Sequence, residues 1–174
     1  MKNEFTEAIK MIGIWTFYIT KGTPLTLAEL ASIKAGESIR RPYRSVTYKN
    51  IIPTVARQQV AKALTGNIAS TTEIKITHQE LGTGTNTPAN ADTGLQTPTG
   101  STRKSVSSTA YSANQINITA FWAATEATGT WREFASFING TGTSNSGVLF
   151  NRVAINITVG SADAITLDGT VTVS

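Results

Sequence analysis

From Ser101 onward one pattern repeats, and it limits the fold more than anything else in the chain. Residues 102–111, 115–124, 130–138, 148–157 and 164–173 read as strands at regular spacing, with Thr alternating with Ile and Val where the period of two shows. A period of two places successive side chains on opposite faces of a strand. Between these stretches stand Ser112-Ala113-Asn114, Thr128-Gly129, Asn139-Gly140-Thr141-Gly142 and Gly160-Ser161, all with turn chemistry. Links this short force neighbouring strands to run antiparallel. Strands with Ile, Val, Phe and Trp on one face must bury that face, and two packed sheets do so. The pattern therefore predicts a mainly β protein built on an antiparallel β-sandwich.

Composition agrees with this and excludes several chemistries. Thr fills 29 of 174 positions, and in the strands it alternates with Ile and Val to make a polar, β-branched outer face. There is no Cys and only one His, which excludes a disulfide framework, a Cys-based zinc site and a Cys nucleophile. A hydrophobic share of 40% with mean hydropathy near zero is too apolar for a disordered chain. The longest apolar stretch near the N-terminus, residues 11–19, contains Gly13 and Thr16 and covers about half of the ~20 residues of a bilayer span. Glu4 and Glu7 stand where a secretory signal would be basic. No membrane anchor is expected, and folding in a cytoplasm is.

Ahead of the repeated pattern the chain differs in charge and in periodicity. Residues 1–75 carry 11 Lys and Arg against 5 Glu, whereas residues 76–174 carry 4 basic against 6 acidic side chains. Arg40, Arg41 and Arg44 form the one tight basic cluster and are the candidate docking residues. A nucleic-acid partner is not expected, because neither interleaved aromatics nor a recognisable binding motif accompanies the cluster. Residues 1–10 suit a short helical turn and residues 11–20 a strand. Thr26 and Glu29 have capping-box spacing before Leu27, Leu30 and Ile33, so a short helix ends at Gly36. Pro53 opens a second helix over residues 54–64, with Val55, Ala56, Val60, Ala63 and Leu64 as its apolar stripe. The expected organisation is an N-terminal arm over residues 1–50, containing a helix, and a sandwich domain over residues 51–174 that includes helix 54–64.

Few residues invite catalysis. Gly82-Thr83-Gly84-Thr85 is not followed by the Lys-Ser/Thr and helix of a phosphate loop, and Pro88 and Pro98 point to an extended loop over residues 82–100. His78, two residues from Glu80, reads as a surface histidine on the polar face of its strand. Asp163 and Asp168 are too few for a calcium site, and three Asn-x-Thr triplets are what an Asn- and Thr-rich chain holds by chance. No catalytic residue, cofactor or metal is assigned, and no enzyme is expected. Trp131, Phe134 and Phe137 read mainly as core. Trp122 and Phe121 are adjacent and must point to opposite faces, so Trp122 and Trp131 are the candidate surface aromatic contacts.

One further set of residues carries a family resemblance. The run Ile76-Thr77-His78-Gln79-Glu80-Leu81-Gly82-Thr83-Gly84-Thr85 continues through Thr87-Pro88-Ala89 and Asp92-Thr93-Gly94-Leu95 to Arg103. Later come Thr119-Ala120-Phe121, Gly129-Thr130-Trp131-Arg132-Glu133-Phe134 and Gly147-Val148-Leu149-Phe150-Asn151-Arg152. This order resembles small virion proteins of tailed bacteriophages, including the N-terminal domain of tail-collar fibre proteins. The match covers roughly residues 45–174, with Phe134-Ala135-Ser136-Phe137 standing where Ala-Gly-Leu-Phe is typical. The resemblance implies a non-enzymatic structural protein of the virion, associated with the tail as a fibre, collar or baseplate adaptor. It further implies assembly in the bacterial cytoplasm, other virion proteins as partners and a homo-oligomer, a trimer by preference. Two other readings compete with it: a capsid decoration protein on the head exterior, and a receptor- or glycan-binding module using the Thr-rich loop and exposed aromatics.

Overall fold

The first strand to form a sheet is also the one nearest the N-terminus. In the computed structural model, which describes residues 10–37, 42 and 44–174, β1 (Met11–Lys21) lies inside a five-stranded antiparallel sheet. Its neighbours are β2 (Arg44–Lys49) and β9 (Asp163–Val173), and the sheet continues through β6 (Gln115–Trp122) to β5 (Ser108–Ser112). The second sheet runs β4 (Lys104–Ser105), β3 (Ile76–Gly82), β7 (Gly129–Ile138), β8 (Val148–Val159). Two antiparallel sheets packed on each other are the sandwich that the alternation requires.

The core lies between the two sheets. Trp15 and Phe17 from β1 meet Phe134 from β7 at ring-centroid distances of 5.0 and 5.4 Å. Ile118, Ile165, Leu167 and Val171 complete the inner face of the first sheet, and Leu81, Val153 and Ile157 that of the second. Each such side chain, fully buried, contributes about 1.5–3 kcal/mol. Trp15 faces Gly169 across the β1–β9 ladder. A Cβ at position 169 would run into the indole ring, so only glycine lets Trp15 lie over β9.

Two helices flank the sheets. In α1 (Leu27–Lys34) the capping box forms as its spacing predicts: Glu29 N donates to Thr26 Oγ1 and Thr26 N donates to Glu29 Oε2. Leu30 is buried, and Lys34 in the last turn pairs with Asp168 at 3.0 Å. α2 (Thr54–Leu64) packs on β8 with Ala56 buried, and Gln59 Nε2 donates to the Glu73 carbonyl at 2.7 Å. The expected stripe turns out otherwise: Ala56 and Gln59 face inward, while Leu64 is 78% exposed.

Three expectations about organisation are corrected. First, no boundary falls at residue 50 among the described residues, because β1 pairs with β9 along its whole length and Trp15, Phe17 and Ile19 are fully buried. The strand segments of the expected arm are sandwich, since their apolar faces are needed to close the core. Second, the single strand expected over 102–111 is two strands in different sheets. Val106 N bonds to the Thr77 carbonyl of the second sheet and Ser107 N to the Thr119 carbonyl of the first, so the chain crosses between sheets there. Third, the loop over residues 82–100 is held to the second sheet by side chains described next. The helical turn expected over 1–10 lies outside the described residues, apart from Lys10.

Candidate functional site

Most charged residues of the motif that carries the resemblance, Glu80, Asp92, Arg103, Glu133 and Arg152, converge on the outer face of the second sheet. β7 carries a register shift between Trp131 and Glu133, after which Phe134 points into the core and Glu133 to the opposite face. Opposite Ala135 in the ladder stands Arg152 of β8. Both charges are buried, and they pair closely: Arg152 Nε and Nη2 donate to Glu133 Oε2 at 3.0 and 2.7 Å. Arg152 Nη1 donates to Asp92 at 2.8 Å, and Nη2 also reaches Asn86.

Glu133 is at the same time an anchor for backbone. Its Oε1 accepts from Gly84 N at 3.0 Å and Thr97 N at 2.7 Å, and its Oε2 accepts from Gln96 N at 2.9 Å. One carboxylate thus fixes both limbs of the long loop. A Cβ on Gly82 or Gly84 would collide with the Glu133 carboxylate, which is why this Gly-Thr-Gly stretch binds a protein carboxylate and not a phosphate.

A second clamp lies beside the first. Arg103 and Glu80 have side chains with no exposure and pair at 2.7 Å. Arg103 Nε donates to the Thr141 carbonyl at 2.6 Å and Nη2 to the Ser146 carbonyl at 2.7 Å, while the guanidinium sits 4.4 Å over the Phe137 ring. Glu80 accepts from Ser144 Oγ and from Asn145 N. Asn145 then ties the clamps together, accepting from Leu95 N at 2.8 Å and donating to the Leu95 carbonyl at 3.1 Å. Leu95 packs with Ala135, Phe137 and Leu149 in a small apolar cluster beneath the loops.

This arrangement sets loops and leaves little to react. All guanidinium nitrogens of Arg103 and Arg152 are engaged by protein acceptors, and Glu80 and Glu133 are sealed from solvent. A polar hollow of about 400 Å³ remains between the loops, lined in part by Asp92, Thr93, Gln96 and Asn145. His78 stands at the margin, near Ser105 and Thr77. Burial first, and the Arg103 charge second, hold its pKa below the ordinary histidine value. Glu80, two residues along the same strand, is committed to Arg103.

The residues singled out from sequence divide clearly. Arg40 and Arg41 lie outside the described residues. Arg44 is half-buried and donates from Nη2 to the Thr158 carbonyl at 2.5 Å, so it closes β2 onto β8. Trp122 and Trp131 are not surface contacts. Trp122 has no exposure and donates to the Thr102 carbonyl, and Trp131 is 5% exposed and donates to the Ala127 carbonyl. Both rings fill core space that no smaller side chain would, and each buried indole N–H finds an acceptor. Phe121 takes the outward position instead and is half-buried. Asp163 and Asp168 pair with Lys21 and Lys34, and no group of three or more His, Cys, Asp or Glu among the described residues could hold a metal.

Sequence reasoning missed the exposed apolar residues Ile12, Leu64, Ile74 and Tyr111. Their signal is weak because each belongs to a regular apolar pattern that suggests burial.

Comparison with family models, with curated proteins and with solved structures gives no significant match. Among the described residues no helix is long and apolar enough to cross a membrane.

Proposed function

We propose that this chain is a non-enzymatic structural protein of a tailed-phage virion, tail-associated as a fibre, collar or baseplate adaptor, that docks to neighbouring virion subunits. The observation that supports this reading is the employment of the motif residues. Glu80, Asp92, Arg103, Glu133 and Arg152, five of the six Asp, Glu and Arg residues of the motif, build the two clamps that hold the loops, and the sixth, Arg132, is exposed and bonds Asn156. A motif of that kind encodes architecture, as a particle component requires, and its charges are spent on internal contacts. Thr-rich strand faces and anchored loops suit a protein that must keep its shape outside a cell. The glycan-binding alternative loses its carriers, since Trp122 and Trp131 are core residues.

Immunogold labelling and quantitative mass spectrometry of purified particles test the proposal. The expected result is label on the tail with tens of copies or fewer per particle. Label over the head with hundreds of copies would replace the tail role with capsid decoration, and absence from particles would overturn both. Sedimentation of the purified protein tests the homo-oligomer, for which a trimer is expected.

A further inference from the structure

Among the described residues six large apolar side chains are exposed, and four of them gather around two adjoining hollows, while Ile14 and Leu27 line neither. Beside α2 runs a groove of about 600 Å³, lined by Ile12 and Leu64 among others. On the other side of Met11 and Val60, which line both, a second hollow of about 530 Å³ holds Ile74 and Tyr111. Ile12, Leu64, Ile74 and Tyr111 are 51%, 78%, 42% and 86% exposed. An apolar surface gathered around hollows in this way marks a contact site more often than chance does.

The groove has a shape and a charge. Arg57, Val60, Ala61 and Leu64 line it from α2, and their spacing of i, i+3, i+4, i+7 makes one helical stripe. Such a stripe, with the inward residues Ala56 and Gln59 already used against the sandwich, is the surface on which a second helix packs. Lys10 and Arg57 rim the first hollow and Lys75 the second, and no Asp or Glu lines either among the described residues.

We propose that this groove docks an amphipathic helix of another polypeptide, with apolar residues along one face and Glu or Asp beside them. Leu64, Val60 and Tyr111 receive the apolar face, and Arg57 and Lys75 select the acidic flank. The proposal rests on the docking role given above, but it is tested on the isolated protein, so failure of groove binding and failure to enter a particle are separate results.

A displayed library of random peptides of about 16 residues, ~24 Å when helical, is selected on the full chain. Enriched peptides are expected to show apolar residues at i, i+3 or i+4 and i+7 flanked by acids. Their affinity should fall about tenfold or more on Leu64→Glu, a substitution at an exposed position whose folding is verified by circular dichroism. Arg57→Glu should weaken them by a smaller factor and flatten the salt dependence. Equal affinity for the Leu64→Glu variant, or selected peptides without acidic bias, would overturn the proposal. So would two other outcomes. A tenfold gain on deleting residues 2–9 would make the chain's own Glu4-Phe5-Thr6-Glu7 segment the occupant. A concentration-dependent dimer abolished by Leu64→Glu would make it a second copy.

Discussion

Replacing Glu133 by Gln changes almost no volume, yet it should be among the most damaging substitutions in the protein. The carboxylate accepts from three backbone N–H groups, of Gly84, Gln96 and Thr97, and twice from Arg152. A carboxamide keeps one acceptor oxygen and turns the other position into a donor. If the amide nitrogen takes the Oε1 position it confronts Gly84 N and Thr97 N; in the Oε2 position it confronts Gln96 N and Arg152. At least two donors lose their acceptor in either orientation, and Arg152 keeps Asp92 as its only charged partner among those described. Hydrogen bonds to charged groups are worth about 1.5–3 kcal/mol each, and breaking one side of a buried pair costs about 3–5 kcal/mol. We expect a loss of about 3–5 kcal/mol, read as a lower urea midpoint at unchanged m-value. For a chain of this size that corresponds to a Tm lower by roughly 6–20 °C. Hydrogen exchange at Gly84, Gln96 and Thr97 should accelerate together, because one side chain holds all three. In a double-mutant cycle, Glu133→Gln with Arg152→Met should cost less than the sum of the two singles. A loss below about 1 kcal/mol with the three amides still protected would refute the clamp as the element that orders the loop.

Three further substitutions probe other links. Gly169→Ala puts a methyl group into the Trp15 indole, so overpacking should cost about 1–3 kcal/mol or more and shift the tryptophan fluorescence. Thr26→Ala removes half of the capping box of α1 and should cost about 1 kcal/mol by chemical denaturation. His78 is the single histidine, and its pKa is lower folded than unfolded. Unfolding then takes up protons, so stability is complete above about pH 6.5 and declines as pH falls through that value toward the folded pKa. His78→Gln should remove this slope between about pH 5 and 7, and a Tm profile unchanged by the substitution would contradict the assignment.

What the sequence discloses is set by how local the cause is. Strands β6 to β9 are readable as strands because apolar and turn residues lie within a few positions of each other, whereas the crossings from β6 to β7 and from β8 to β9 between the two sheets are not. The cap of α1 is readable for the same reason, since Thr26 and Glu29 satisfy each other across three residues. The place of β1 is not, because its partner β9 lies at the far end of the chain and nothing near β1 in sequence points to it, while the fit of Trp15 over Gly169 shows only in the fold. The clamps were hidden in plain letters. Glu80, Arg103, Glu133 and Arg152 look scattered, and it takes the β3–β7–β8 pairing, with β4 on β3 carrying the preceding Arg103, to bring them to one face. Residues 102–111, rich in Ser and Thr, suit strand over both β4 and β5 and carry no sign that the chain changes sheets at Val106 and Ser107.

The pairing of β1 with β9 also determines when this fold can exist. The ladder joins residues as far apart as Lys21 and Asp163, and β9 is the strand that bridges β1 to β6. Until the ribosome has delivered β9, β1 has β2 on one edge and nothing on the other, and the five-stranded sheet is two separate fragments. Folding is therefore held back to a late, highly non-local closure step, of the kind that makes β-rich chains slow. During synthesis β1 and β2 are an exposed, aromatic-rich hairpin open to the wrong partners. Synonymous changes that slow translation between β2 and β9 should raise the insoluble fraction, whereas the same delay placed ahead of β1 should not.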